Sequence, residues 1–160
     1  MIAVLLALAL QSAAPAPSPA VPAPVCTVAV APPAGLEAWN TISAVTTGPI
    51  AIGQGTGLML QPVAKVVFTP TPNRAPKPGT FGGVYQFNVT TAGTYRIALD
   101  AGAWIDVVGN GKALVSTAHT EGAPCSGIRK IVDFTLAAGR YTLQLSGAKE
   151  APMRILIAAK

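Results

Sequence analysis

A chain of 160 residues, 51% hydrophobic and only 11% charged, suits one domain with a buried core and argues against a disordered or charge-rich helical protein. Its net charge of +5 is carried by eleven Lys and Arg that form no long run. That describes a faintly basic solvated surface, still compatible with attraction to acidic envelope polymers, and nucleic acid is not an expected partner of an exported chain whose sequence shows no basic stripe.

The first apolar run, Ile2 to Leu10, is too short to span a bilayer and is followed by small residues and prolines. Residues 1–20 are therefore expected to be a secretory signal, cleaved after Ala14 or Ala20, although no Lys or Arg precedes the run. No transmembrane anchor is expected in the mature protein. The neighbours of Cys26, Ala23-Pro24-Val25, do not resemble a lipid-attachment sequence. Residues 21–47 are Pro- and Ala-rich and are expected to be an extended segment, with residues 48–160 forming the folded domain. Within the extension Trp39 is either a plug on the open end of the domain or a ligand platform. Gly53, Gly55 and Gly57 form a Gly-x-Gly-x-Gly pattern, but no helix or P-loop lysine follows, so the glycines punctuate turns.

Leu58 to Gln61 and Lys65 to Thr69 are expected to be short strands, with Pro62 at an edge or kink. Pro70 to Gly83 holds four prolines and three glycines, and such a long loop is a candidate binding edge, with Phe81 and Tyr85 nearby. The segment Ala92-Gly93-Thr94-Tyr95-Arg96-Ile97-Ala98-Leu99 then returns as Ala138-Gly139-Arg140-Tyr141-Thr142-Leu143-Gln144-Leu145. Each copy alternates strictly and follows another alternating run, Tyr85-Phe87-Val89 or Val132-Phe134-Leu136, which predicts two similar hairpins. Ala103 to Val108 is a strand. Gly109-Asn110-Gly111-Lys112 is a tight turn, and Ala113 to Ser116 returns antiparallel. A polar loop, Thr117 to Gly127, precedes the second repeat, and Met153 to Ala159 closes the chain. About eight short strands with regular turns predict an all-β fold, a two-sheet antiparallel sandwich of jelly-roll-like type, with a closed barrel as the alternative.

Catalytic chemistry is sparsely provided for. His119 is the sole histidine, with Ser116 and Glu121 as local companions; His119 and Glu121 are the weak catalytic candidates, and no Gly-x-Ser-x-Gly elbow exists. One histidine cannot build a two-His-one-carboxylate iron site within the chain, and no cofactor is expected. Calcium needs only oxygens, which makes Asp100, Asp106 and Asp133 weak candidates, although their spacing matches no calcium loop. Sugar recognition asks for an aromatic face and a few polar groups. Trp104 and Asp106 share one strand face opposite Ile105 and Val107, so Trp104 is a platform if that face is open and core if it is closed. Two cysteines in an exported chain predict a disulfide between Cys26 and Cys125, closing about a hundred residues.

The residues Tyr85 to Tyr95, Ala103-Trp104-Ile105-Asp106-Val107 and Leu136 to Tyr141 resemble the pre-peptidase C-terminal type of bacterial β-sandwich, and Trp104 to Asp106 with Gly111 to Val115 resembles sugar-binding PA14-like modules. Those resemblances imply an accessory sandwich on secreted enzymes and a sugar-binding role. The whole chain, through Lys77-Pro78-Gly79, Ala101 to Val108 and Ser126 to Phe134, also resembles small exported bacterial proteins sometimes labelled homogentisate 1,2-dioxygenase, a label that implies a far larger iron enzyme. The expectation is a periplasmic or secreted, non-catalytic sandwich that binds an envelope component, a glycan or a partner protein, with Trp104, Asp106, Trp39, Tyr85 and Phe81 as candidate ligand contacts. An enzyme and a purely structural envelope protein are the alternatives.

Overall fold

The computed structural model describes residues 26–160, so the expected signal segment lies outside the described residues. Among the described residues eleven strands form two sheets: β1 (Ile42–Thr46), β2 (Gly55–Met59), β3 (Gln61–Pro62), β4 (Phe81–Val89), β5 (Gly93–Leu99), β6 (Trp104–Gly109), β7 (Lys112–Ala113), β8 (Ala118–Thr120), β9 (Lys130–Leu136), β10 (Gly139–Ala148) and β11 (Pro152–Ala159). The first sheet runs β1-β2-β11-β5-β9-β8 and the second β3-β4-β10-β6-β7. The all-β sandwich expected from the alternation is therefore present. Several features depart from the expected pattern. β1 pairs with β2 in parallel, and β3, β7 and β8 are two or three residues long, too short for alternation to signal. Lys65 to Thr69 is not a strand: Val63–Lys65 is a 3-10 turn between two prolines, and irregular backbone follows it.

The two repeats are not hairpins. β4 pairs with β10 and β5 with β9, so each repeat crosses from one sheet to the other. Alternation fixes which face of a strand is buried but not which strand lies beside it. The crossings share one device: Tyr95 Oη donates to the Thr91 carbonyl at 2.7 Å and Tyr141 Oη to the Ala137 carbonyl at 3.0 Å, each four residues back. This is the bond of a tyrosine corner, which ties a strand to the turn before it. The symmetry extends to the pairing, with Tyr95 opposite Phe134 in one sheet and Tyr141 opposite Phe87 in the other. The Phe87 and Tyr141 rings stack at 5.6 Å. Between the sheets lies a continuous core that includes Phe87, Ile97, Leu99, Val107, Phe134, Leu143, Leu145, Ile155 and Ile157. The Asn110-Gly111 turn forms as predicted, both residues having positive φ between Gly109 and Lys112.

The folded part begins well before Gly48. Residues 26–40 lie across the outer face of the first sheet, where Leu36 and Trp39 are fully buried against Ala98, Ile131, Leu156 and Ala158. The Cys26–Cys125 disulfide, with Cα atoms 5.4 Å apart, fastens this strap, and Val30 N donates to the Cys125 carbonyl. By constraining the unfolded chain the bridge contributes about 3–5 kcal/mol. Trp39 covers the face of a sheet rather than the open end of the sandwich, and its buried ring is closed to ligands. Beside the strap Asp133 pairs with Arg96 at 3.5 Å and Lys160 at 2.9 Å, and Arg96 also donates to the Ala34 carbonyl.

Tyr95→Phe and Tyr141→Phe should each lower unfolding stability by about 1 kcal/mol, because each removes one partly buried hydrogen bond. Urea denaturation of the two variants checks this, and values near zero for both would show that the corners do not depend on the hydroxyls.

Candidate functional site

The outer face of the second sheet is only partly covered, and the cover creates a cleft. Ile105 and Val107 face the core, so Trp104 and Asp106 face outward, beside Ser146 and Gln144 of β10. The loop after β3 crosses this face and is pinned there by Asp106. The buried carboxylate accepts hydrogen bonds from the Asn73 backbone N–H at 3.2 Å and from Asn73 Nδ2 at 2.9 Å. Asn73 in turn places Arg74 beside the half-buried Trp104, its Cζ 5.8 Å from the ring centroid.

The opposite wall comes from the loop between β8 and β9. Ser126 Oγ donates to the Ala123 carbonyl and accepts from Ile128 N–H, while the disulfide holds Cys125. A Cβ at Gly122 would collide with the Ile128 carbonyl and its side chain, so the loop closes on itself in this way only with glycine there. Its end presents Arg129, paired with Glu121, and Lys130, whose Nζ donates to the Ala103 carbonyl at 2.9 Å and stands 5.6 Å from the Trp104 centroid. Trp104 thus braces two cations through its π face. Lys149, in the turn between β10 and β11, completes the rim.

The result is a cleft of about 570 Å³. It gathers Arg74, Lys77, Arg129, Lys130 and Lys149 against one carboxylate, Glu121, a formal excess of four positive charges in a chain whose net charge is +5. The charge that looks scattered along the sequence is concentrated at one place. Burial, and secondarily the Arg74 guanidinium, push the Lys130 ammonium below the ordinary lysine range. The indole N–H of Trp104 and both amide atoms of Gln144 are shut off from solvent without a partner among the described residues. This face therefore carries polar groups that its own packing does not satisfy.

His119, Glu121 and Trp104 all line this cleft, and Asp106 lies beneath its wall. His119 is exposed on the edge strand β8, and among the described residues no hydrogen bond or ion pair orients its imidazole. Glu121 is engaged by Arg129, so the two weak catalytic candidates do not form an acid–base pair. Tyr85 points into the core, where burial pushes its phenol pKa up, and Phe81 packs against the same core. Neither belongs to the cleft. The loop singled out as a binding edge does contribute to it, through Arg74 to Lys77 and Thr80. The three candidate calcium aspartates are not brought together: Asp100 accepts from Arg154 N–H, Asp106 from Asn73, and Asp133 pairs with two cations on the opposite sheet.

No protein-family model matches the chain, and no curated protein matches it. Among the described residues no helix is long and apolar enough to cross a membrane.

Folding leaves Lys130 with a weaker hold on its proton than it has in the unfolded chain, so the unfolded state binds more protons in the alkaline window below the ordinary lysine pKa of ~10.4. Stability should accordingly rise with pH through that window relative to Lys130→Met, and level off above it. Urea unfolding of both proteins across the window checks the sign; a constant difference would show that Lys130 titrates normally.

Proposed function

We propose that the protein is an exported, non-catalytic β-sandwich that binds a glycan component of the cell envelope in the cleft beside Trp104. The observation that carries this reading is the assembly of the cleft. Its walls come from segments far apart in sequence, and they are held by the Asp106–Asn73 bonds, the Lys130–Ala103 bond and the disulfide-bound loop. A preformed concave site with an aromatic residue and convergent polar groups is what ligand recognition requires. A hydrolase, in contrast, needs a nucleophile and an oriented base, and His119 has no orienting partner among the described residues. The disulfide supports an oxidising compartment, in keeping with export.

Isothermal titration of the mature, oxidised protein against a panel of envelope oligosaccharides tests this. Saturable binding is expected, with Trp104→Ala reducing affinity at least ~10-fold, since it removes both an aromatic contact and the brace for two cations. Lys65→Gln, outside the cleft, should leave affinity unchanged. A turnover abolished by His119→Ala would instead establish an enzyme.

A further inference from the structure

The cations of the cleft differ from those elsewhere in being gathered at one depression: Lys65, Lys112, Arg140 and Arg154 also lack an ion pair among the described residues, but they do not line this cleft. Arg96 and Lys160 share Asp133, and Arg154 lies over Trp39 at 5.5 Å. In the cleft Arg74, Lys77, Lys130 and Lys149 have no ion-pair partner among the described residues, and only Arg129 has one, Glu121. The other nearby carboxylate, Asp106, lies under the loop and is engaged by Asn73. Four like charges converging on one depression repel each other, and an anionic ligand relieves that repulsion while forming charge-assisted hydrogen bonds.

Trp104 gives the second half of the argument. Its ring braces Arg74 and Lys130, so the feature offered to a ligand is a pair of fixed cations rather than a bare stacking face. A site built this way reads the anionic substituents of a sugar polymer more than its apolar ring faces. Single-stranded nucleic acid fits less well, because its grooves use several aromatic rings free to stack on bases, whereas among the described residues only Trp104 and the His119 imidazole line this cleft, and the Trp104 ring already holds two cations. A membrane surface also fits less well, because among the described residues none of the large exposed aliphatic side chains, Val67 and Val115 included, lines the cleft.

We infer that the ligand is an acidic glycan, its carboxylate, phosphate or sulfate groups held by Arg74, Lys77, Lys130 and Lys149. Glu121 is an internal counter-ion that the ligand displaces from Arg129. This inference rests on the glycan-binding reading above and narrows it to one class of glycan.

The experiment is titration of the mature, oxidised protein with four hexasaccharides: oligogalacturonate, a heparin-derived sulfated one, a phosphorylated mannan fragment and a neutral galactan. A single-stranded DNA oligonucleotide serves as the competing polyanion. At ~0.15 M salt at least one acidic hexasaccharide should bind ~10-fold or more tightly than the neutral one, with affinity falling as salt is raised. Whichever acidic arm is tightest identifies the anionic group. Arg74→Gln and Lys149→Gln should each weaken that binding ~3–10-fold, whereas Glu121→Gln should tighten it ~2–5-fold, a gain that a misfolded variant cannot produce. If the neutral hexasaccharide binds as well as the acidic ones, the glycan-binding reading stands and the acidic inference fails. Absence of binding to all four overturns both. Tighter binding of the DNA than of every glycan overturns the inference in favour of a different polyanion, and a weakened Glu121→Gln variant overturns the counter-ion role.

Discussion

Two hydrogen bonds, from the hydroxyls of Tyr95 and Tyr141 to carbonyls four residues earlier, fix the places where the chain passes from one sheet to the other. The rest of the architecture depends on those crossings. Because each repeat spans both sheets, β10 pairs with β4 of the other repeat, and its second edge is left to β6. Had the repeats closed as hairpins, β4 would lie beside β5, and β6 would not be held in the register that sets Trp104 opposite Ser146 and Asp106 opposite Gln144. The corner therefore determines the floor of the cleft.

The two outer faces of the sandwich are finished in different ways. On the first sheet the strap of residues 26–40 buries Leu36 and Trp39 over small and branched side chains, and Asp133 gathers Arg96 and Lys160, so the apolar surface is covered and these charges are paired within the chain. On the second sheet the covering loop is held by Asp106 through Asn73 and by the Arg74–Trp104 contact, and it adjoins cations that lack ion-pair partners among the described residues. Cys125 links the two halves of the molecule, since the bridge that anchors the strap also holds the loop that supplies Glu121, Arg129 and Lys130. A face closed by packing serves stability; a face that leaves four positive charges unpaired carries an electrostatic cost that, on the function proposed above, a ligand relieves.

The fold class, the disulfide and the Asn110-Gly111 turn were legible in the sequence because each depends on local pattern or on residue type. Strand partnership was not, since Tyr85-Phe87-Val89 and Tyr95-Ile97-Leu99 read identically whether they form a hairpin or an arch. The strap was hidden by its prolines: Leu36 and Trp39 lie in a segment whose composition resembles a linker, and only the apolar outer surface of Ala98, Ile131 and Leu156 makes them core. Trp104 was named, and its outward face could be inferred once Ile105 and Val107 were assigned to the core. The five cations were missed because Arg74, Lys77, Arg129, Lys130 and Lys149 meet only through folding. The one sequence signal was weak: the adjacent Arg129-Lys130 pair, and Arg74 with Lys77 in the loop already marked as a binding edge.

The central claim is that this cleft, rather than any other surface, is where the protein meets its ligand. Backbone amide chemical shifts followed during titration with an acidic hexasaccharide test it most directly. The perturbed amides should cluster at residues 74–77, 102–104, 119–121, 129–130 and 147–149. A cluster on the strap of residues 26–40, or in the smaller groove lined by Met59, Gln61, Val67 and Tyr85, would contradict the account.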